Sequence, residues 1–112
     1  MERDLDERER HLYTLQAQVC QLLADPSRLE LLHLLGTEER TVGDLVTATG
    51  LRQSNVSQHL TLMRQRGIVT TRRAGTTVYY ALAYPEILDA CAITRNILLR
   101  QIEATSALVG ER

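Results

Sequence analysis

The chain has 112 residues, of which 44% are apolar, 24% charged and 4% aromatic, with a formal net charge of −1. That length is one domain's worth, able to bury a core but with little to spare, so a second copy would help. Apolar stretches such as Leu31 to Leu35, broken by His33, fall far short of the ~20 residues that cross a bilayer, and Met1 to Arg10 is charged rather than apolar, unlike a secretory or transit peptide. A cytoplasmic protein with no membrane partner is therefore expected. Cys20 and Cys91 have no Cys-x-x-Cys spacing, and in such a chain they are expected to be reduced thiols rather than a disulfide framework.

In chain order, Leu5, Leu12, Leu15, Val19 and Leu22 recur at spacings of seven, three, four and three, which predicts a helix over 5–24 with a heptad-like stripe that wants a partner. Asp25-Pro26-Ser27 reads as a stop and restart, with Asp25 as cap and Pro26 at the first helical position. A short second helix then runs to Gly36, with Leu29, Leu32 and either Leu31 or Leu35 toward a core, before a polar loop to Arg40. Thr41-Val42-Gly43-Asp44 resembles a capping box and opens a third helix with Leu45 and Val46, ending by Gly50. After Leu51 and Arg52, Gln53 or Ser54 opens a fourth helix to about Arg66, which buries Val56, Leu60 and Met63 and stops at Gly67.

Beyond Gly67 the period changes. Residues 68–72 and 76–82 are rich in β-branched and aromatic residues around Ala74-Gly75, the pattern of a hairpin. Tyr84-Pro85 ends it, and a last helix over 85–109 carries Ile87, Leu88, Cys91, Leu98, Ile102 and Leu108 toward one side. The expected fold is mainly α with a β-hairpin wing (α+β), a winged helix-turn-helix in a single domain over 1–112. The helix-turn-helix occupies 41–66 and the wing 68–82.

Charge is distributed unevenly along this order. Residues 1–50 hold ten acids against five arginines, whereas residues 51–85 hold Arg52, Arg64, Arg66, Arg72 and Arg73 and no acid. A local positive run without carboxylates suits phosphate neutralisation, and overall charge hides it. The plainer alternative is a solvated charged face. The fourth helix offers Gln53, Ser54, Asn55, Ser57, Gln58, His59 and Arg64 as its exposed positions, where an ordinary solvated helix would carry Glu and Lys. Ser and Asn are mediocre helix formers, so their clustering points to hydrogen bonding with base edges, with one of Ser54 and Asn55 left to cap. Arg72, Arg73, Thr76 and Thr77 surround the hairpin tip, where they could straddle the backbone or probe a minor groove, and are expected to serve mainly affinity. Double-stranded DNA is the partner these residues imply.

The strings Leu23-Ala24-Asp25-Pro26-Ser27-Arg28-Leu29, LRQSNVSQHL over residues 51–60, Gly67-Ile68-Val69 and Val78-Tyr79-Tyr80-Ala81-Leu82 together resemble the ArsR/SmtB family of metal- and stress-responsive repressors. The resemblance spans nearly the whole chain. It implies a winged-helix homodimer held by the first and last helices, which binds inverted-repeat operators and releases them when an effector binds.

The family's sensing sites transfer poorly. The stretch Glu39 to Leu45 lacks the Cys-x-Cys of the arsenic and lead type, and no His follows His59 to complete a zinc site with Asp89 and Cys91 on the last helix. In the persulfide-sensing subgroup a cysteine stands where this chain has His33. The pair Cys20 and Cys91 remains, open to three readings: small buried hydrophobes, a thiol switch by oxidation or persulfidation, or a site for a thiophilic metal or metalloid ion such as arsenite. His11 and His33 could add ligands. Otherwise no cofactor is expected. No convergent acid, base and nucleophile suggests an enzyme. A winged helix serving only protein interaction, or a repressor indifferent to effectors, are the rival readings.

Overall fold

The computed structural model describes residues 5–109, with side chains described through residue 106. Its elements are α1 (Glu7–Leu22), α2 (Pro26–Thr37), α3 (Val42–Thr49), α4 (Gln53–Gln65), β1 (Val69–Ala74), β2 (Thr77–Leu82) and α5 (Ile87–Val109). None of the described helices is long and apolar enough to cross a membrane.

Local chemistry sets most of the boundaries. The Asp6 carboxylate accepts from the Glu9 N–H at 2.8 Å, so α1 starts at Glu7, and Leu5 lies ahead of it, exposed. Asp25 caps α2 by accepting from the Arg28 N–H at 3.0 Å, with Pro26 at the first position. Thr41 and Asp44 form the reciprocal capping box of α3, at 3.0 and 3.1 Å. Gly50, at φ 75°, closes α3 in the left-handed conformation and turns the chain toward α4.

The hairpin differs from expectation by a residue or two. Strand β1 runs on through Ala74, and the turn residues are Gly75 and Thr76 rather than Ala74 and Gly75. Gly75 has φ 64° and Thr76 has no positive φ, the combination of a type II′ turn, whose twist suits a two-residue hairpin. A third backbone segment joins this ribbon: the Arg40 N–H donates to Tyr80 O at 3.0 Å and the Tyr80 N–H to Arg40 O at 2.8 Å. The wing is thereby tied to the loop that precedes α3.

The core comprises Leu22, Leu31, Leu32, Leu35, Leu45, Val56, Leu60, Met63, Ile68, Val69 and Leu82. Leu29 is not part of it, being 40% exposed, while both Leu31 and Leu35 are buried. The reason is rotation: α2 faces α3, β2 and α5 along the Leu31, Leu32 and Leu35 side, which leaves Leu29 at the margin.

The end helices are different. Leu22, Val19 and Leu23 anchor the last turn of α1 to the core, and Ile87 and Leu88 anchor the first turn of α5, which begins after a turn at Pro85 and Glu86. Beyond those anchors Leu12 is 61% exposed, and Leu15, Ile97, Leu98 and Ile102 are exposed too. Leu108 lies outside the described side chains. The Cα radius of gyration is 17.9 Å, whereas a compact chain of this length has about 13 Å.

Gly36 sets the distance between α2 and α5. A Cβ at this position would run into Leu88 Cδ1 and approach Leu82 Cδ1 at 3.7 Å. Gly36→Ala is expected to force the Leu88 side chain from its seat against α2 and lower stability by about 1 kcal/mol, the low end of an overpacking cost, readable as a lower urea midpoint.

Candidate nucleic-acid interface

Helix α4 is oriented by three side chains. Val56, Leu60 and Met63, spaced four and three apart, are fully buried, so the opposite face must point away from the core. That face carries Ser54, Gln58, Thr61 and Gln65, at spacings of four, three and four, all exposed. Gln53, Ser57 and Arg64 flank it on one side, Asn55 and His59 on the other. Thr61 and Gln65 extend the face beyond the residues singled out from sequence, although their i+3 and i+7 relation to Gln58 already marks them as sharing its side.

Two expected positions are less open than the rest. Ser57 is half-buried, and the His59 side chain is 21% exposed. His59 turns toward the start of α2, where Nε2 lies 3.8 Å from Asp25 Oδ2 and Nδ1 lies 3.4 Å from Arg28 Nη1. Arg28 also donates through Nε to Leu22 O at 2.9 Å and through Nη2 to Gln21 O at 3.1 Å, closing the end of α1. The Asp25 carboxyl is held below its ordinary pKa, first by the Arg28 N–H it accepts from and also by the electrostatic influence of the nearby His59 and Arg28 side chains.

Helix α4 also begins without a side-chain cap. Its N-cap is Arg52, which makes no such bond, and neither Ser54 nor Asn55 caps, because both lie inside the first turn. The Val56 N–H is the first to bond back, to Arg52 O at 3.0 Å. The backbone N–H groups of Gln53, Ser54 and Asn55 therefore lack helical partners at the positive end of the helix dipole, where an anion is favoured.

The wing contributes Arg72, Arg73, Thr76 and Thr77, all exposed. Arg73 has no acidic partner among the described residues. Arg72 has one that the chain order conceals: Nε donates to Glu39 Oε2 at 3.1 Å and Nη2 to Glu39 Oε1, while the guanidinium lies 4.6 Å from the Tyr79 ring centroid. The stretch 51–85 is free of acids in sequence, but the fold brings one to it. At the far end of α4, Arg66 Nη1 donates to Gln18 Oε1 of α1 at 3.4 Å.

Cys20 and Cys91 are free thiols, Cys20 exposed on α1 and Cys91 half-buried on α5. Burial pushes the Cys91 thiol above its ordinary pKa, which lowers its thiolate fraction. His11, His33 and Asp89 are exposed on α1, α2 and α5, and no three His, Cys, Asp or Glu residues converge among the described residues.

A helix-turn-helix with an outward second helix and an adjoining two-stranded wing defines the winged helix-turn-helix class. Comparison with known proteins agrees. The model of the bacterial regulatory protein, arsR family, matches residues 25–71. The uncharacterized HTH-type transcriptional regulator Rv0081 of Mycobacterium tuberculosis is 37% identical over 101 residues, covering 89% of each chain. Its crystal structure has a TM-score of 0.74 at 38% identity, over 84% of this chain and 95% of that one. The homodimeric winged helix-turn-helix DNA-binding domain of Mb0332 from Mycobacterium bovis, solved in solution, has a TM-score of 0.66 at 30% identity, over 99% and 98% of the two chains. A transcriptional repressor SmtB homolog of Synechocystis is 40% identical over 73 residues, 65% of this chain and 55% of that protein. This chain belongs to the arsR family and is a transcriptional regulator rather than an enzyme.

The Glu39–Arg72 pair has a pH signature. Arg72 holds the Glu39 carboxyl below its ordinary value of 4.5, first through the side-chain hydrogen bond, and Glu39 raises Arg72 in return. A depressed carboxyl stabilises the fold fully above pH 4.5 and loses that contribution as pH falls through the lowered value. Carbon-detected NMR titration should show Glu39 titrating below the ordinary range, and Arg72→Ala should return it there.

Proposed function

We propose that the chain is a repressor that binds an inverted-repeat operator in duplex DNA as a homodimer, with residues 1–112 acting as a single winged-helix unit. The carrying observation is the polar, acid-free stripe of α4 on a helix whose N-terminus has no side-chain cap. Ser54 and Gln58 sit where base edges would be read, joined by Thr61, with Gln53, Asn55, Ser57 and Arg64 at the flanks and the open amides toward phosphate. Arg73 and Thr76 on the wing would meet the backbone, and Arg72 would do so only where its pairing with Glu39 opens. Half-buried His59 is placed to orient the helix against Asp25 and Arg28 as well as to approach DNA.

The dimer rests on the apolar faces of α1 and α5, which the protomer leaves exposed, and on the homodimeric state of the Mb0332 domain. A two-fold dimer presents α4 twice, which matches an inverted repeat. Repression is supported by the name of the Synechocystis relative.

A mobility-shift titration with the chain's own promoter region tests the reading. Arg73→Ala should weaken binding to all duplexes alike and flatten the slope of log K against log salt by about 1.8 for the dimer, about 0.9 for each phosphate no longer neutralised. Gln58→Ala should instead reduce preference for the operator over unrelated DNA, by about 1–3 kcal/mol for each base no longer read. Equal effects of the two variants on every duplex would contradict this division of roles, and no shift with any duplex would favour a protein-interaction module.

Effector release through the thiols is the finer part of the reading, with oxidation, persulfidation or a thiophilic ion such as arsenite acting at Cys20 and Cys91. It is supported by the placement of both free thiols on the helices proposed to pair. Exposed Cys20 would react first, since burial disfavours the Cys91 thiolate. Cys20→Ser should therefore abolish operator release by polysulfide, oxidant or arsenite, with thiol mass spectrometry following the modification. Unchanged release in both Cys20→Ser and Cys91→Ser would leave the cysteines structural.

A further inference from the structure

The contact between Glu39 and Arg72 joins residues 33 apart in sequence, and the backbone builds it. Arg40 pairs with Tyr80, and Arg72 pairs with Tyr79. Side chains alternate faces along extended segments, so Glu39, next to Arg40, falls on the same face as Tyr79 and Arg72. Glu39 then offers both carboxylate oxygens to a guanidinium already lying on the Tyr79 ring. A carboxylate fork on Arg has the geometry and charge of a phosphate contact. Arg73, one residue on, points to the other face and has no acidic partner among the described residues.

We propose that Glu39 is an internal stand-in for a DNA phosphate, which holds Arg72 back from the duplex and so sets how many phosphates the wing neutralises. This rests on the reading of the chain as a DNA-binding dimer. Free Arg72 would add one phosphate contact per protomer, available to any sequence, because the backbone carries no base information. Occupied by Glu39, it adds none, and non-specific affinity is held down while the contacts of α4 are untouched. Tyr79 keeps the guanidinium at the wing in either state.

The test compares the full chain with Glu39→Gln, Arg72→Ala and the double variant, each first shown to keep the wild-type melting temperature within a few degrees. Duplex binding is measured from 50 to 200 mM salt, on promoter DNA and on unrelated DNA. Glu39→Gln should bind both duplexes more tightly at low salt, with a slope steeper by about 1.8 for the dimer, so that its advantage shrinks about tenfold between 50 and 200 mM salt. In the Arg72→Ala background the same substitution should change neither affinity nor slope. Three results would overturn the proposal: no change on Glu39→Gln; weaker binding with an unchanged slope, which would make Glu39 a brace for the wing; or an equal gain without Arg72, which would reflect removal of an acid near DNA. Absence of any binding by the wild-type protein would remove the DNA-binding reading itself, and this proposal with it.

Discussion

The rotation of α4 about its own axis decides which of its residues can meet a partner, and Val56, Leu60 and Met63 hold that rotation. Each fully buried side chain of this kind contributes about 1.5–3 kcal/mol, whereas a side-chain hydrogen bond contributes about 0.5–1.5 kcal/mol net. The polar contacts of His59 with Asp25 and Arg28 therefore refine an orientation that packing has already chosen. With the apolar stripe buried in the core against α3 and β1, the stripe of Ser54, Gln58, Thr61 and Gln65 can only face outward. Hydrophobic burial thus places residues that bury nothing themselves.

The wing depends on a second constraint, the pairing of its strands with each other and with Arg40. Backbone hydrogen bonds between Arg40 and Tyr80 draw the acid-bearing loop after α2 against the ribbon. The basic region is consequently graded: Arg64 and Arg73 are exposed with no acidic partner among the described residues, Arg72 is matched by Glu39, and Arg66 leans on Gln18. Electrostatic reach at a phosphate surface depends on such local matching more than on a count of arginines, because a neutralised guanidinium displaces no counterion.

The end helices leave the protomer physically incomplete. One turn of each is anchored in the core, and the rest presents Leu12, Leu15, Ile97 and Ile102 outward. Apolar area of this extent is costly in water, which is the reason to pair two copies and the reason a signal received on these helices could reach DNA. Helix α1 bears Cys20 within the same turns whose carbonyls bind Arg28 and whose Gln18 binds Arg66, so a shift of α1 would be felt at the middle of α4, through Arg28 and His59, and at its C-terminal end. Under the proposed reading, any such shift would alter DNA affinity only to the extent that a bound effector prefers one dimer form.

Short-range chemistry was legible in the sequence. The caps at Asp25 and Thr41, the buried trio of α4, the glycine stops and the change of period at Gly67 depend on neighbours within a few residues, and the elements formed close to where those signals stood. The arginine-rich, acid-free stretch was legible as well, as were apolar stripes seeking a partner. Tertiary structure decided what depends on residues far apart: that Leu31 and Leu35 both pack while Leu29 does not, that His59 faces Asp25 instead of open solvent, and that Glu39 meets Arg72. The physical reason is common to all three. Periodicity along one helix or strand tells which residues share a side, but only the packing of several elements against one another tells what that side will touch.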